Sequence, residues 1–283
     1  MSAATPLLQI ENLEVTYGHG RRAFTAVRDI SLHIDQGRTL GVVGESGSGK
    51  STVGRSILGL ARATSGTIRF AGEDITKVDR KTRQRLSRDL QVVFQDPRSS
   101  LNEAKTVGDI LAEPLVASRQ MSRRGARDRA AELIERVGLG TAALGRFPGT
   151  FSGGQRQRIA IARALMPAPR LVVCDEPVSA LDLSVQAQIV NLFREIQRDT
   201  GTSYLFIAHD LSIVRLLSDD IAVMSRGSIV EMGTAEQVYS APTALYTKRL
   251  LAAEPYPDPR IQRERRRQWE ALAVDPAGAP LGL

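Results

Sequence analysis

The chain has 283 residues, 42% of them hydrophobic and 24% charged, which is ordinary for a globular protein and long for one compact domain. Its single cysteine, Cys174, excludes an internal disulfide and any cysteine-built cluster held by this chain alone, and it fits a reducing, cytoplasmic compartment. No apolar run reaches the length of about 18 residues that a transmembrane helix needs, and the N-terminus lacks the basic and apolar regions of a signal peptide.

The net charge of +7 comes largely from residues 119–129 and 260–267. No aromatic residues interleave with those arginines as a base-stacking platform requires. An anionic membrane surface suits them as well as nucleic acid does, and a solvated face is the simplest reading of the tail.

Residues 7–17 and 26–34 alternate in polarity as two strands, with Gly18 to Arg22 as the turn of an antiparallel pair. Tyr17 closes the first strand; it either packs locally or lies beside the loop that follows. Residues 39–43 form a short apolar strand, and 51–60 have helical spacing, with Val53, Ile57, Leu58 and Leu60 available to pack. Between them runs Gly44-Glu45-Ser46-Gly47-Ser48-Gly49-Lys50-Ser51, with Thr52 behind it. A strand, this loop and a helix make the context of a phosphate-binding P-loop. Glycines let successive backbone N–H groups turn onto an anion, and the helix N-terminus adds partial positive charge. Lys50 can reach the β- and γ-phosphates, and the Ser51 hydroxyl can ligate Mg²⁺. Gly-Ser-Gly alone would be a flexible turn; Lys50, Ser51 and the flanks point to a nucleoside triphosphate.

A short strand over 66–72, a polar basic helix to Leu86 and an apolar strand over 90–94 follow, ending at Gln95-Asp96-Pro97. From Thr106 the spacing becomes helical, and strands vanish until residue 171. Residues of about 96–168 therefore read as a helical insertion in an α/β core. Ser152-Gly153-Gly154-Gln155 opens a helix as an N-cap region whose free amides could meet an anion, a weak signal alone.

Residues 171–175 form a buried strand ending in Asp175, with Glu176 next. Downstream of a P-loop, Asp175 would orient the Mg²⁺ shell and Glu176 would polarise the attacking water. Elsewhere such a pair is more often a helix cap or solvated charge. Residues 179–182 turn into a helix over about 184–199, and 203–208 form another core strand. A lone histidine is usually structural, but His209 follows this strand at the edge where α/β sheets bind ligands, which favours a γ-phosphate contact. Strands at 221–224 and 228–232 finish the sheet. Residues 254–283 are a Pro- and Arg-rich tail.

Taken in order, the loop at 44–51, Gln95, Ser152-Gly153-Gly154-Gln155, Asp175-Glu176, Asp182 and His209 resemble the ATP-binding subunits of ABC transporters. The segments 94–102, 151–160, 174–182 and 241–255 resemble the peptide/nickel importer branch. Ala244-Leu245-Tyr246 stands where that branch has His-Pro-Tyr, and Asn102-Glu103 where it has Asn-Pro. The cysteines of an iron–sulfur site found in some members are missing.

The resemblance implies a P-loop NTPase α/β core over 1–95 and 169–253, with an N-terminal antiparallel β subdomain and the helical insertion. It implies ATP and Mg²⁺ as ligands. Tyr17 would stack on adenine. Residues 44–52 would hold the phosphates. Ser51 and Gln95 would ligate Mg²⁺ with Asp175 behind them, Glu176 would be general base, and His209 would hold the γ-phosphate. Ser152, Gly153, Gly154 and Gln155 would complete the site of a second ATPase subunit, related or identical, across a head-to-tail dimer, with Asp182 coupling the two sites. Residues 95–102 and the insertion would dock two transmembrane permease subunits at the cytoplasmic face of the membrane, served indirectly by an extracytoplasmic solute-binding protein. Two other functions compete: a soluble ABC-type ATPase acting on nucleic acid or ribosomes, and a non-hydrolysing scaffold. The first usually shows tandem domains or a long coiled coil, and no heptads separate the P-loop from Ser152. The joint presence of Lys50, Asp175, Glu176 and His209 argues against the second. The sequence leaves the transported substrate open.

Overall fold

The computed structural model describes residues 5–97, 100–179 and 181–253. The tail at 254–283, Ala180, and Arg98 and Ser99 of the expected docking segment lie outside the described residues.

The chain begins with β1 (Leu8–Tyr17) and β2 (Phe24–Ile34), antiparallel from Leu8↔Ile34 to Tyr17↔Phe24. Then come β3 (Thr39–Val43), α1 (Lys50–Ile57), β4 (Ser65–Phe70), β5 (Glu73–Asp74), α2 (Arg80–Leu86) and β6 (Leu90–Val93). The insertion contributes α3 (Val107–Ala117), α4 (Arg123–Arg136) and α5 (Gly153–Leu165). The core resumes with β7 (Leu171–Asp175), α6 (Leu183–Thr200), β8 (Ser203–Ala208), α7 (Leu211–Leu217), β9 (Asp220–Ser225), β10 (Ser228–Thr234), α8 (Ala235–Ser240) and α9 (Leu245–Ala253).

Two sheets result among the described residues. One runs β2-β1-β4-β5 and is antiparallel; the other runs β10-β9-β3-β8-β7-β6, parallel except for the β10 edge. Side chains alternate across a strand, and here the alternation divides two cores. Leu40, Val42, Leu171, Val173, Leu205 and Ile207 face a core shared with α1 and the antiparallel sheet. Val172, Cys174, Tyr204 and Phe206 face the core that α3 to α6 cover. Phe193 of α6 meets the edges of Tyr204 and Phe206 there, at 5.2 and 5.9 Å between ring centres. The insertion therefore has no separate core; its apolar residues join those beneath the sheet.

The expected strands appear with ends shifted by a residue or two. Helix α1 stops at Ile57, short of Leu60, because Gly59 takes a left-handed φ of +71° and Leu60 N–H turns back to Arg55 O. Leu60 is exposed rather than packed. Helices α7, α8 and α9 were not anticipated. The first is capped by Asp210 and the second by a Thr234–Gln237 capping box, and at 7, 6 and 9 residues each is shorter than the window of about 11 residues over which helical spacing can be read.

Candidate active site

Parallel strands β3, β8, β7 and β6 end on one edge of the sheet, which brings the 44–51 loop, His209, Asp175-Glu176 and Gln95 to that edge. Gly44 has φ +151° and Gly49 φ +102°. A Cβ on Gly44 would stand 2.1 Å from Met224 O, and one on Gly49 2.4 Å from Ala26 O. The loop can close this tightly only without side chains at those two positions. Glu45, Ser46 and Gly47 are open to solvent, whereas Ser48 and Lys50 are buried.

Lys50 Nζ donates to Gly44 O at 2.7 Å and to Glu45 O at 2.8 Å. Burial lowers the pKa of this ammonium, and the nearby carboxylates of Glu176, Asp175 and Glu45 oppose that shift. Ser51 Oγ donates to Asp175 Oδ1 at 2.6 Å. A hydroxyl and a carboxylate oxygen side by side are the hard donors that Mg²⁺ takes, its remaining positions going to phosphate and water. The residues present therefore fit that ion.

Glu176 leaves β7 with a left-handed φ of +52°, unusual for a residue with a side chain. Its N–H is fixed on Ile207 O at 2.9 Å, and its carbonyl accepts from Ser179 Oγ at 3.1 Å. Such conformations persist only where neighbouring bonds hold them, and they gather at functional sites. Glu176 Oε2 lies 3.6 Å from His209 Nδ1; the carboxylate is largely covered and the imidazole more than half exposed. Sequence order alone separates Lys50, Ser51, Asp175, Glu176 and His209. The fold makes them neighbours.

The other expected residues lie outside that cluster. Tyr17 is half exposed opposite Phe24, two residues before Ala26, whose carbonyl abuts Gly49. The ribbon end thus lies beside the loop. Gln95 is exposed and lines a cleft with Gly153, Gln157, Pro177 and Leu181. Ser152 is the exposed N-cap of α5, with Gln155 completing a capping box. Gly153 has no heavy atom within 4 Å of a Cβ built on it, while Gly154 packs against Val185 of α6. Asp182 caps α6 through Val185 N–H and the Ser184 hydroxyl, bonds that hold its carboxyl below the usual range. Within one chain, the hydrogen bonds of Ser152, Gln155 and Asp182 all stay in their own capping turns.

Sequence reasoning missed three residues that support this edge. Gln157, buried in α5, donates from Nε2 to Phe94 O, just ahead of Gln95. Gln186 donates to Val178 O and Leu181 O and so fixes the loop after Glu176. Tyr246 reaches the P-loop itself. The two glutamines sit on exposed-looking helix turns, and nothing local in the sequence sets them apart.

A profile of the ABC transporter family matches residues 27–179. The oligopeptide transport ATP-binding protein OppF of Bacillus subtilis is 49% identical over 266 residues, covering 93% of this chain and 87% of the relative. The dipeptide transport ATP-binding protein DppF of Lactococcus lactis subsp. cremoris is 48% identical over 269 residues, covering 94% and 86%. Among solved structures, CbiO1 of Clostridium perfringens, part of the CbiONQ transporter complex, superposes with TM-score 0.76 at 26% identity, covering 93% of this chain and 98% of that one. The dimeric ATP-binding cassette MJ0796, in a post-hydrolysis state with ADP and Pi, gives TM-score 0.74 at 28% identity, covering 81% and 98%.

Proposed function

The chain belongs to the ABC transporter family, and on that premise we propose that it is the ATP-hydrolysing subunit of a membrane importer for oligopeptides or dipeptides. Nickel chelates are the alternative substrate class that the resemblance to that branch leaves open. The observation that carries the reading is the convergence of Lys50, Ser51, Asp175, Glu176 and His209 at one sheet edge. The alternative of a soluble ATPase acting on nucleic acid or ribosomes finds no support among relatives named for peptide transport.

The proposed division of labour follows from chemistry. Lys50 and the loop amides of 44–52 bind the triphosphate. Ser51 and Asp175, with Gln95, would hold Mg²⁺, which when bound neutralises phosphate charge. Glu176 takes the proton of the attacking water, held in place by its constrained backbone. His209 orients the γ-phosphate beside Glu176, and Tyr17 stacks on the base. Ser152, Gly153 and Gln155 are exposed, Gly154 is partly covered by Val185, and none of the four bonds its own P-loop, which suits a role across a dimer with a second ATPase subunit, Asp182 linking the two sites. ATP joins the two subunits and hydrolysis lets them part.

No helix among the described residues is long and apolar enough to cross a membrane, so the membrane passage would lie in separate permease subunits, with this chain at their cytoplasmic face. A pull-down from detergent-solubilised membranes tests this. Two polytopic membrane proteins, a related ATPase and a solute-binding protein are the expected partners. Ribosomal proteins or nucleic acid from the soluble fraction, with no membrane partner, would overturn it.

A further inference from the structure

The backbone N–H of Glu45 donates to the hydroxyl of Tyr246 at 3.1 Å, across 201 residues of sequence. That N–H shares a planar peptide unit with the carbonyl of Gly44, which accepts from Lys50 Nζ at 2.7 Å. In a trans peptide the N–H and the C=O point to opposite sides of the chain. One rigid unit is therefore held by Tyr246 on one side and by Lys50 on the other. Gly44 is also hemmed in by Met224 O on β9, so the unit has little room to turn.

Tyr246 is itself well anchored. Thr243 N–H and Oγ1 and Ala244 N–H all bond the Glu231 carboxylate, at 2.6, 2.9 and 3.2 Å, fixing the start of α9 to β10. Strand β10 pairs with β9, and β9 with β3, the strand that runs into Gly44. The Tyr246 ring packs half-buried against the core under the sheet. Burial raises its phenol above the ordinary value, so the hydroxyl keeps its proton through the neutral range.

We propose that Tyr246 is a positioning residue of the nucleotide site: its hydroxyl orients the peptide joining Gly44 to Glu45, and through the Gly44 carbonyl it holds the Lys50 ammonium ready for the triphosphate. The C-terminal helix α9 is thereby part of the ATPase. The proposal rests on the reading of 44–51 as a phosphate loop.

The test is Tyr246→Phe in the full chain, which removes only the hydroxyl, with Tyr239→Phe as a matched loss elsewhere. Tyr239 stacks under Arg215 of α7. Loss of the bond to Glu45 is expected to raise Kd and KM for ATP about fivefold in Tyr246→Phe, with kcat changed less than about twofold. Amide exchange at Glu45 in the nucleotide-free protein should quicken by a similar factor, the melting temperature staying near wild type. Unchanged ATP affinity, unchanged exchange at Glu45, or an equal affinity shift in Tyr239→Phe would each overturn the proposal. A wild-type chain that binds no ATP would overturn the nucleotide reading instead, and exchange at Glu45 would still decide the Tyr246 contact.

Discussion

The Ser51 hydroxyl donates to Asp175 Oδ1 at 2.6 Å, joining residues 124 apart in sequence. The bond forms because β7 and β3 flank β8 in register, so the end of one strand meets the helix that follows the other. The two oxygens that the proposed function assigns to Mg²⁺ thus stand side by side.

From this pair follows the first prediction. Asp175→Asn keeps the size and the hydrogen bond to Ser51 but removes the charge. The Mg²⁺ concentration for half-maximal hydrolysis should rise about 10- to 100-fold, the usual worth of a group supporting a metal site. A Mg²⁺ titration of ATP turnover reads it, and an unshifted midpoint would contradict the assignment.

Glu176→Gln should lower turnover about 10²–10⁴-fold while ATP still binds, since the proposed general base is removed and the loop is untouched. Lys50→Ala should behave in the opposite sense, weakening binding itself. Single-turnover kinetics and nucleotide titrations separate the two.

Glycines at the two ends of the site should respond differently. In Gly44→Ala the new Cβ would meet Met224 O at 2.1 Å in a backbone conformation foreign to alanine, costing about 2 kcal/mol or more of stability. In Gly153→Ala the Cβ meets nothing, so stability should hold or improve. Turnover should nevertheless fall, on the order of 10²-fold, if Gly153 must approach a partner's nucleotide closely. Denaturant unfolding and ATPase assays on the same samples would show the split.

The clasp on α9 should depend on pH. Burial pushes the Glu231 carboxyl up, but bonds led by the Thr243 N–H outweigh it, leaving the group below its ordinary value of 4.5. A depressed folded value means stability that is present above 4.5 and lost as pH falls through the folded value. Glu231→Gln should therefore be less stable than wild type by about 1 kcal/mol near neutrality, and the gap should close below pH 4.5. Urea unfolding of both proteins at several pH values measures it; a gap independent of pH would refute the clasp.

Much of this molecule was legible in its sequence. The strand at 39–43, the glycine loop, the carboxylates ending 171–175 and the strand at 203–208 each carry a local signature, because apolar runs, glycines and caps act over a few residues. That such strands form one parallel sheet also follows from their alternation with helices. The sequence therefore determined the fold class and the kinds of chemistry present. The tertiary structure alone decided which groups touch. Sheet order β3-β8-β7 sets Ser51 against Asp175 and Glu176 beside His209, and the return of β9 and β10 delivers Tyr246 to Glu45. Those contacts span 33 to 201 residues. Local propensity carries no information over such distances, whereas strand pairing and the burial of two opposed faces fix them to within a hydrogen bond.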